Sequence, residues 1–245
     1  MNPEHAALQA ELRVAACPTS PERHQTDSYG GSGHLFYNVS VPVRRAIAKR
    51  WLAAHRALPT GAFLAVVTSL FEGESHEEKT LAALLVGYHA KARQDVRPAE
   101  LERWLEQLNG WAEIDSLCQN VFTAPEMARD WPEWKRLIER LSRDPNINKR
   151  RAALVLLNSP VHYSSDVRFR DLAFDTIDRL KAERDILITK AVSWLLRSMI
   201  AQHRGGVTDY LTEQAPSLPA VAVRETRAKL TTGTKSGRQA RAVKP

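Results

Sequence analysis

Apolar residues recur along the chain at the three- and four-residue spacing of amphipathic helices. The sequence lacks the pattern of a half-buried strand, which is a β-branched stretch that alternates between apolar and polar positions and is bounded by turn residues. Prolines lie near the ends of the periodic stretches, where helix breakers are expected. The pattern predicts an all-α protein with helices at 4–16, 42–57, 61–71, 75–93, 98–108, 111–122, 131–142, 147–158, 165–182, 186–203, 207–214 and 219–230.

Three of the most apolar stretches share one pattern: they start with basic or polar residues, continue with a pair of small residues and end in a leucine-rich run. They are KTLAALLVGY (79–88), RRAALVLLNS (150–159) and TKAVSWLLRS (189–198). Arg151 and Lys190 occupy matching places 39 residues apart. A period of about 40 residues built from helix pairs is typical of HEAT-like repeats. We therefore expect a HEAT-like α-solenoid of about six antiparallel helix pairs with a concave basic face. The alternative is a plain helical bundle.

The helix expected at 186–203 has a core face and a separate polar stripe. Lys190, Trp194 and Arg197 form the stripe, and the core face consists of Leu187, Ile188, Ala191, Val192, Leu195 and Met199. An aromatic ring between two cations suits a polyanion such as nucleic acid. Lysine and arginine side chains that pack over a tryptophan at the edge of a helix would give the same pattern.

The helix expected at 111–122 carries Trp111 and Asp115 one turn apart on one flank, beside a core face of Ile114, Leu117, Cys118 and Val121. Taken alone, Asp115 is interpreted as a carboxylate in the first helical turn, where it compensates the positive helix end. In a solenoid, equivalent positions on successive inner helices line one surface. That arrangement would bring Trp111 and Asp115 together with Arg151 and Lys190.

Arg150 and Arg151 lie near the start of the helix expected at 147–158, which is apolar almost all round after Arg151. A cation on a buried helix is unfavourable unless it has a partner or reaches a groove. Phosphate binding would explain both arginines, and so would an ion pair with a carboxylate elsewhere in the chain.

The positive charge is concentrated at the C-terminal end. Of a net charge of +7, the segment 229–245 supplies +5 and contains no acid, which leaves +2 for the rest of the chain. The composition of this tail is that of a disordered segment. Nucleic-acid binding by the folded part therefore has to be inferred from where its cations lie.

The remaining composition indicates a soluble protein of a reducing compartment. No apolar run approaches the ~20 residues of a membrane span, and the N-terminus lacks the apolar core of a secretory signal. Cys17 and Cys118 are too few for a disulfide framework. We expect a cytoplasmic, nucleoid-associated location of the bacterial type.

The sequence motifs of common enzyme classes are missing. There is no H-E-x-x-H, Walker A, G-x-G-x-x-G after a strand, or G-x-S-x-G, and two isolated cysteines cannot form a zinc site. We therefore expect an enzyme, if it is one, to work without a metal ion, a cofactor or a covalent nucleophile of the usual kinds.

Four motifs, in order, resemble those of the AlkD-like DNA alkylation-repair glycosylases, a HEAT-like repeat family. LFYNVSVPVRRAIAK (35–49) resembles an aromatic-Gly-Val-x-x-Pro stretch that runs into Arg-Arg, and GWAEIDS (110–116) resembles a Trp-x-x-x-Asp motif. NINKRRAAL (146–154) and ITKAVSWLLR (188–197) resemble the Asn-x-Trp-x-x-Arg-Ala-Ala and Lys-Ala-x-x-Trp-x-Leu-Arg segments. The resemblance spans roughly 25–232. It implies a HEAT-like repeat glycosylase domain at 25–232, preceded by a helix and loop at 1–24. The composition of the remaining residues, 233–245, predicts a basic disordered tail.

The resemblance implies a role for each matching residue. The expected catalytic set is Asp115 as the carboxylate, with Trp111 and Trp194 as aromatic walls. Arg151 would grip a phosphate beside the lesion. The other expected DNA-binding residues are Arg150, Lys190, Arg197, Tyr29 and Ser40. The chain departs from the motifs at three positions: Asn38 stands in place of a glycine, Ser40 where a longer amide side chain can occur, and Asn148 in place of a tryptophan.

The implied activity is that of a monofunctional DNA glycosylase that removes cationic N3- and N7-alkylated purines from duplex DNA in base excision repair. Double-stranded DNA that contains alkylated bases would be its partner, with no obligate protein partner and a monomeric state. The alternative function is a non-catalytic HEAT-like scaffold that binds a DNA structure or a protein. Under that alternative Trp111 and Trp194 are packing residues.

Overall fold

The computed structural model describes residues 2–17, 31–119 and 121–237, and in these ranges the regular elements are helices, as predicted. Within the same ranges, pairing of the β type is limited to an isolated parallel bridge between Leu35 and Ser75. The chain divides into two compact units, Met1–Phe122 and Thr123–Pro245. None of the described helices is long and apolar enough to cross a membrane.

The first unit contains seven described helices, and α4 lies at its centre. Its helices α2, α3 and α7 all pack on α4, and α1 packs on α3 and α4. The bounds are α1 Pro3–Val14, α2 Val41–Ala54, α3 Thr60–Phe71, α4 His76–Tyr88, α5 Ala90–Asp95, α6 Pro98–Leu105 and α7 Gly110–Cys118.

The second unit is organised around its longest helix, α13. Helices α10, α11 and α12 pack on α13, and the C-terminal helix α14 packs on it as well. The bounds are α8 Ala124–Arg129, α9 Trp131–Leu141, α10 Ile147–Val155, α11 Asn158–Tyr163, α12 Val167–Leu180, α13 Ile186–Gln214 and α14 Ala220–Thr232, with a short 3₁₀ helix at Ala215–Ser217.

The core faces predicted from the helical spacing are confirmed except at Leu187, which is only half-buried. Ile114, Leu117 and Cys118 of α7 are fully buried, and so is every residue from Ala152 to Leu157. On α13, Ile188, Ala191, Val192, Leu195 and Met199 are also fully buried. The apolar spacing therefore identified the inward sides of these helices correctly.

Several helix boundaries differ from the predicted ones. The helix predicted at 75–93 is divided at His89, whose side chain accepts a hydrogen bond from the backbone of Ala92 and so begins α5. The helices predicted at 186–203 and 207–214 are one element with a kink at His203, where φ is −129° and ψ is 36°. The periodicity also missed the six-residue helices α8 and α11, which are too short to show a helical repeat.

Candidate active site and nucleic-acid interface

The helix that carries Trp111 and Asp115 begins one residue earlier than predicted. Asn109 is its N-cap, and its side chain accepts a hydrogen bond from the backbone of Gly110, whose φ is 71°. The first-turn carboxylate is therefore Glu113, and the interpretation of Asp115 as a first-turn residue is wrong. Asp115 lies in the second turn, and its carbonyl accepts a hydrogen bond from Gln119.

Trp111 and Asp115 share the flank of α7 that was expected for them. Both side chains are half-buried, whereas Ile114 and Leu117 on the neighbouring face are fully buried. The spacing of four residues sets an indole and a carboxylate one helical turn apart. An aromatic face beside a carboxylate is an arrangement suited to a cationic ligand.

Glu113 is a buried acid that the sequence interpretation missed. Both carboxylate oxygens lie 3.0 Å from Nδ1 of His34, Nδ1 of His76 lies 3.2 Å from Oε1, and the backbone N–H of Asn109 donates to Oε2 at 3.0 Å. Burial acts to raise the pKa of Glu113, but the hydrogen bonds from His76, Asn109 and His34 outweigh it and lower that pKa. The carboxylate therefore joins the loop 31–40, the start of α4 and the start of α7.

The loop 31–40 is held to α4 by a second buried acid. Glu77 is 1% exposed and accepts hydrogen bonds from the backbone N–H groups of Tyr37 at 2.9 Å and Val39 at 3.2 Å. Between them, Asn38 has a φ of 59°, in the left-handed region that favours glycine. Asparagine tolerates this region better than other side chains do, which explains how it stands where the resembling motif has glycine.

Two of the expected DNA-binding residues lie at or before this loop. Ser40 is the last residue of the loop and the exposed N-cap of α2. Tyr29 lies outside the described residues, so its expected role stays a prediction.

Arg150 and Arg151 have different surroundings at the start of α10. Arg150 makes a two-pronged ion pair with Glu183, at 2.8 and 3.0 Å, and also donates to the carbonyls of Asp144 and Pro145. Arg151 is 5% exposed and donates to the carbonyl of Leu187 at the start of α13. The contacts of Arg150 correspond to the ion-pair alternative raised for it.

The predicted stripe on α13 faces a carboxylate of α14. Nζ of Lys190 and Nη2 of Arg197 lie 3.6 and 3.5 Å from the carboxylate of Glu225, and the hydroxyl of Ser193 donates to it at 2.7 Å. Trp194 is half-buried on the same helix. Burial acts to raise the pKa of Glu225, but Ser193, Arg197 and Lys190 together lower it.

The candidate residues are divided between the two units. Trp111 and Asp115 belong to Met1–Phe122, and the DNA-binding candidates Arg151, Lys190 and Arg197 belong to Thr123–Pro245 together with Trp194. Their convergence on one concave face therefore stays a prediction. In the part of the chain that the structure describes, no three His, Cys, Asp or Glu side chains are arranged to hold a metal ion.

Comparisons with known proteins gave matches over most of the chain. The model of a family described as "DNA alkylation repair enzyme" matches residues 8–230. A solved structure described as a predicted DNA alkylation repair enzyme from Enterococcus faecalis is similar with a TM-score of 0.64 and 19% sequence identity, over 92% of this chain and 94% of that chain. At this identity the likeness shows a shared fold. No curated protein sequence matched the chain.

Proposed function

Because the chain belongs to the family of DNA alkylation repair enzymes, we propose that it is a DNA glycosylase that hydrolyses the N-glycosidic bond of cationic N3- and N7-alkylated purines in duplex DNA. The observation that carries this proposal is the pair formed by Trp111 and Asp115 on one flank of α7. The start of that helix is fixed by the buried carboxylate of Glu113.

The chemistry of these lesions needs few protein groups. A purine alkylated at N3 or N7 carries a positive charge, so it departs as a neutral base when the C1′–N bond breaks with both electrons going to the base. No general acid is required for such a leaving group. The sugar becomes oxocarbenium-like, and a water molecule completes the reaction by bonding to C1′ and releasing a proton.

Asp115 supplies the negative charge that this transition state needs. A carboxylate near C1′ stabilises the developing cation, as in glycoside hydrolysis, and orients or deprotonates the attacking water. The rings of Trp111 and Trp194 attract the cationic lesion and its sugar, at roughly 0.5–2 kcal/mol for each ring. Arg151 and the stripe of Lys190 and Arg197 hold the DNA backbone in this proposal.

Release of 7-methylguanine from methylated duplex DNA under single-turnover conditions tests the proposal. Asp115→Asn should bind the same duplex within about threefold of the wild type and should lose excision by about 10²–10³-fold, as expected when one preorganised electrostatic group is removed. Asp95→Asn, at the exposed end of α5, is the matched control and should excise normally. If the wild-type protein binds DNA but releases no alkylated base, the protein is a scaffold and the enzyme proposal is wrong.

A further inference from the structure

The three polar groups that meet Glu225 form a ligand set for an anion. Lys190, Ser193 and Arg197 follow one another at intervals of three and four residues, so they share one flank of α13. Their two cations and one hydroxyl converge on a carboxylate that is 14% exposed. Cationic side chains together with a hydroxyl are also the groups with which proteins bind the phosphates of a nucleic acid backbone.

More positive charge surrounds Glu225 than one carboxylate neutralises. Lys229 lies one helical turn beyond Glu225 on α14, and burial together with the nearby Arg197 lowers the pKa of Lys229. The positive charge of Lys235 acts on Glu225 as well. More than one cation therefore acts on Glu225, whereas an ion pair that only fastened α14 to α13 would need a single cation.

We propose that α13 and α14 together form a binding site for a DNA backbone phosphate, built from Lys190, Ser193, Arg197 and Lys229, and that Glu225 occupies this site in the free protein. This inference rests on the proposed function, because it supposes that DNA is the ligand. A phosphodiester has the same single negative charge as the carboxylate and replaces it, so Glu225 is an internal competitor of DNA. The C-terminal helix thereby joins the DNA-binding surface.

The competition predicts that Glu225 weakens the binding of DNA. Glu225 keeps the cations ordered, but each DNA molecule that binds has to displace it and leave a carboxylate beside a phosphate. Removal of its charge alone should therefore strengthen binding. Glu225→Gln keeps the shape of the side chain and an oxygen that accepts from Ser193, and α14 retains its buried residues Ala222 and Thr226.

Fluorescence anisotropy with an undamaged duplex at low salt tests the proposal. Glu225→Gln should tighten binding by about fivefold, whereas Glu213→Gln, which removes an exposed acid from α13, should change it by less than about twofold. Lys229→Gln should weaken binding by about fivefold and lower the slope of log K against log salt by about 1. Arg227→Gln, on the opposite flank of α14, is its control.

The outcomes separate this proposal from the proposed glycosylase activity. If Glu225→Gln binds DNA no more tightly than Glu213→Gln, Glu225 is a structural partner and the inference is wrong. If thermal denaturation shows that Glu225→Gln does not fold, the comparison of Lys229→Gln with its control Arg227→Gln tests the proposal instead. If these two variants weaken DNA binding equally, the proposed phosphate site is wrong. Because the probe carries no lesion, a wild-type protein that excises nothing would overturn the glycosylase and leave this binding result standing.

Discussion

The buried carboxylate of Glu113 lies 3.0 Å from Nδ1 of His34, 79 residues earlier in the chain. A carboxylate only accepts hydrogen bonds, so the histidine Nδ1 carries the proton in this pair. The contact fastens the loop 31–40 to α7, and the same carboxylate accepts from His76 on α4. The helix that carries Trp111 and Asp115 is therefore held at its start by side chains of two other segments.

Replacement of Glu113 should cost stability and activity together. Glu113→Gln leaves one acceptor oxygen and turns an amide N–H toward histidine donors, so the free energy of unfolding should fall by about 1.5–3 kcal/mol. Excision should fall by about tenfold or more while DNA affinity changes little, because α7 loses its fixed start. Urea denaturation and single-turnover excision measure the two effects. Glu72→Gln, at the exposed C-terminal end of α3, is the control and should change neither the unfolding free energy nor the excision rate. If Glu113→Gln keeps the excision rate of the wild type, Glu113 does not position α7.

Stability should fall in strongly acidic solution through Glu78. Burial acts to raise the pKa of this acid, but hydrogen bonds from His5, Ser75 and Gln9 outweigh it and lower that pKa to about 2. Since the folded value lies below the usual value of 4.5, Glu78 stabilises the fold above about pH 4.5, and the contribution is lost as the pH falls toward 2. It is on the order of 3 kcal/mol.

Denaturation of the wild type and of Glu78→Gln at pH 6, 4, 3 and 2.5 checks this expectation. The difference in unfolding free energy between them should be largest at pH 6 and should shrink across the acidic range. A difference that stays constant with pH would mean that the ionisation of Glu78 does not contribute.

Because residue 38 has a left-handed backbone conformation, alanine and glycine at this position should differ in their effect on stability. Asn38→Ala should lose about 1 kcal/mol more stability than Asn38→Gly, because alanine has a Cβ that strains a φ of 59° whereas glycine has none. Both substitutions remove the asparagine side chain, so the difference between them isolates the backbone effect. Thermal denaturation of the two variants side by side measures it, and equal stabilities would contradict the left-handed assignment.

Arg150 should behave as a structural residue. Its ion pair with Glu183 is partly buried, with side chains 21% and 27% exposed, and its guanidinium also holds two carbonyls. Arg150→Gln should lower stability by about 1 kcal/mol and change DNA affinity by less than about twofold. A double-mutant cycle with Glu183→Gln measures the coupling. A large loss of DNA affinity with full stability would instead support the DNA contact expected from the sequence.

The sequence was sufficient to predict the helical class and the inward faces of the helices. In a helix that packs on one side, the residues that face the core recur every three or four positions. Ile114 on α7 and Leu195 on α13 could therefore be assigned to the core from their spacing alone. The capping box of Thr123 and Glu126 is also visible in the sequence and could have located the short helix α8.

The contacts between distant polar residues could not be predicted in this way. In the sequence, Glu113 looks like any other charged residue near the start of a helix. Its contact with His34 joins two positions that no periodic pattern relates. Likewise, the positive stripe of Lys190 and Arg197 is visible on the helical wheel, but nothing in its spacing indicates that Glu225 lies opposite. Such pairs depend on how segments pack, which local sequence does not encode.

The carboxylate of Glu77 gives the loop 31–40 a kinetic property that loops usually lack. The amide protons of Tyr37 and Val39 are bound to a buried side chain of α4. They become exposed to solvent only when that contact opens, and the contact is anchored in the central helix of its unit. In hydrogen–deuterium exchange these two loop amides should therefore be protected and exchange together with the amides of α4.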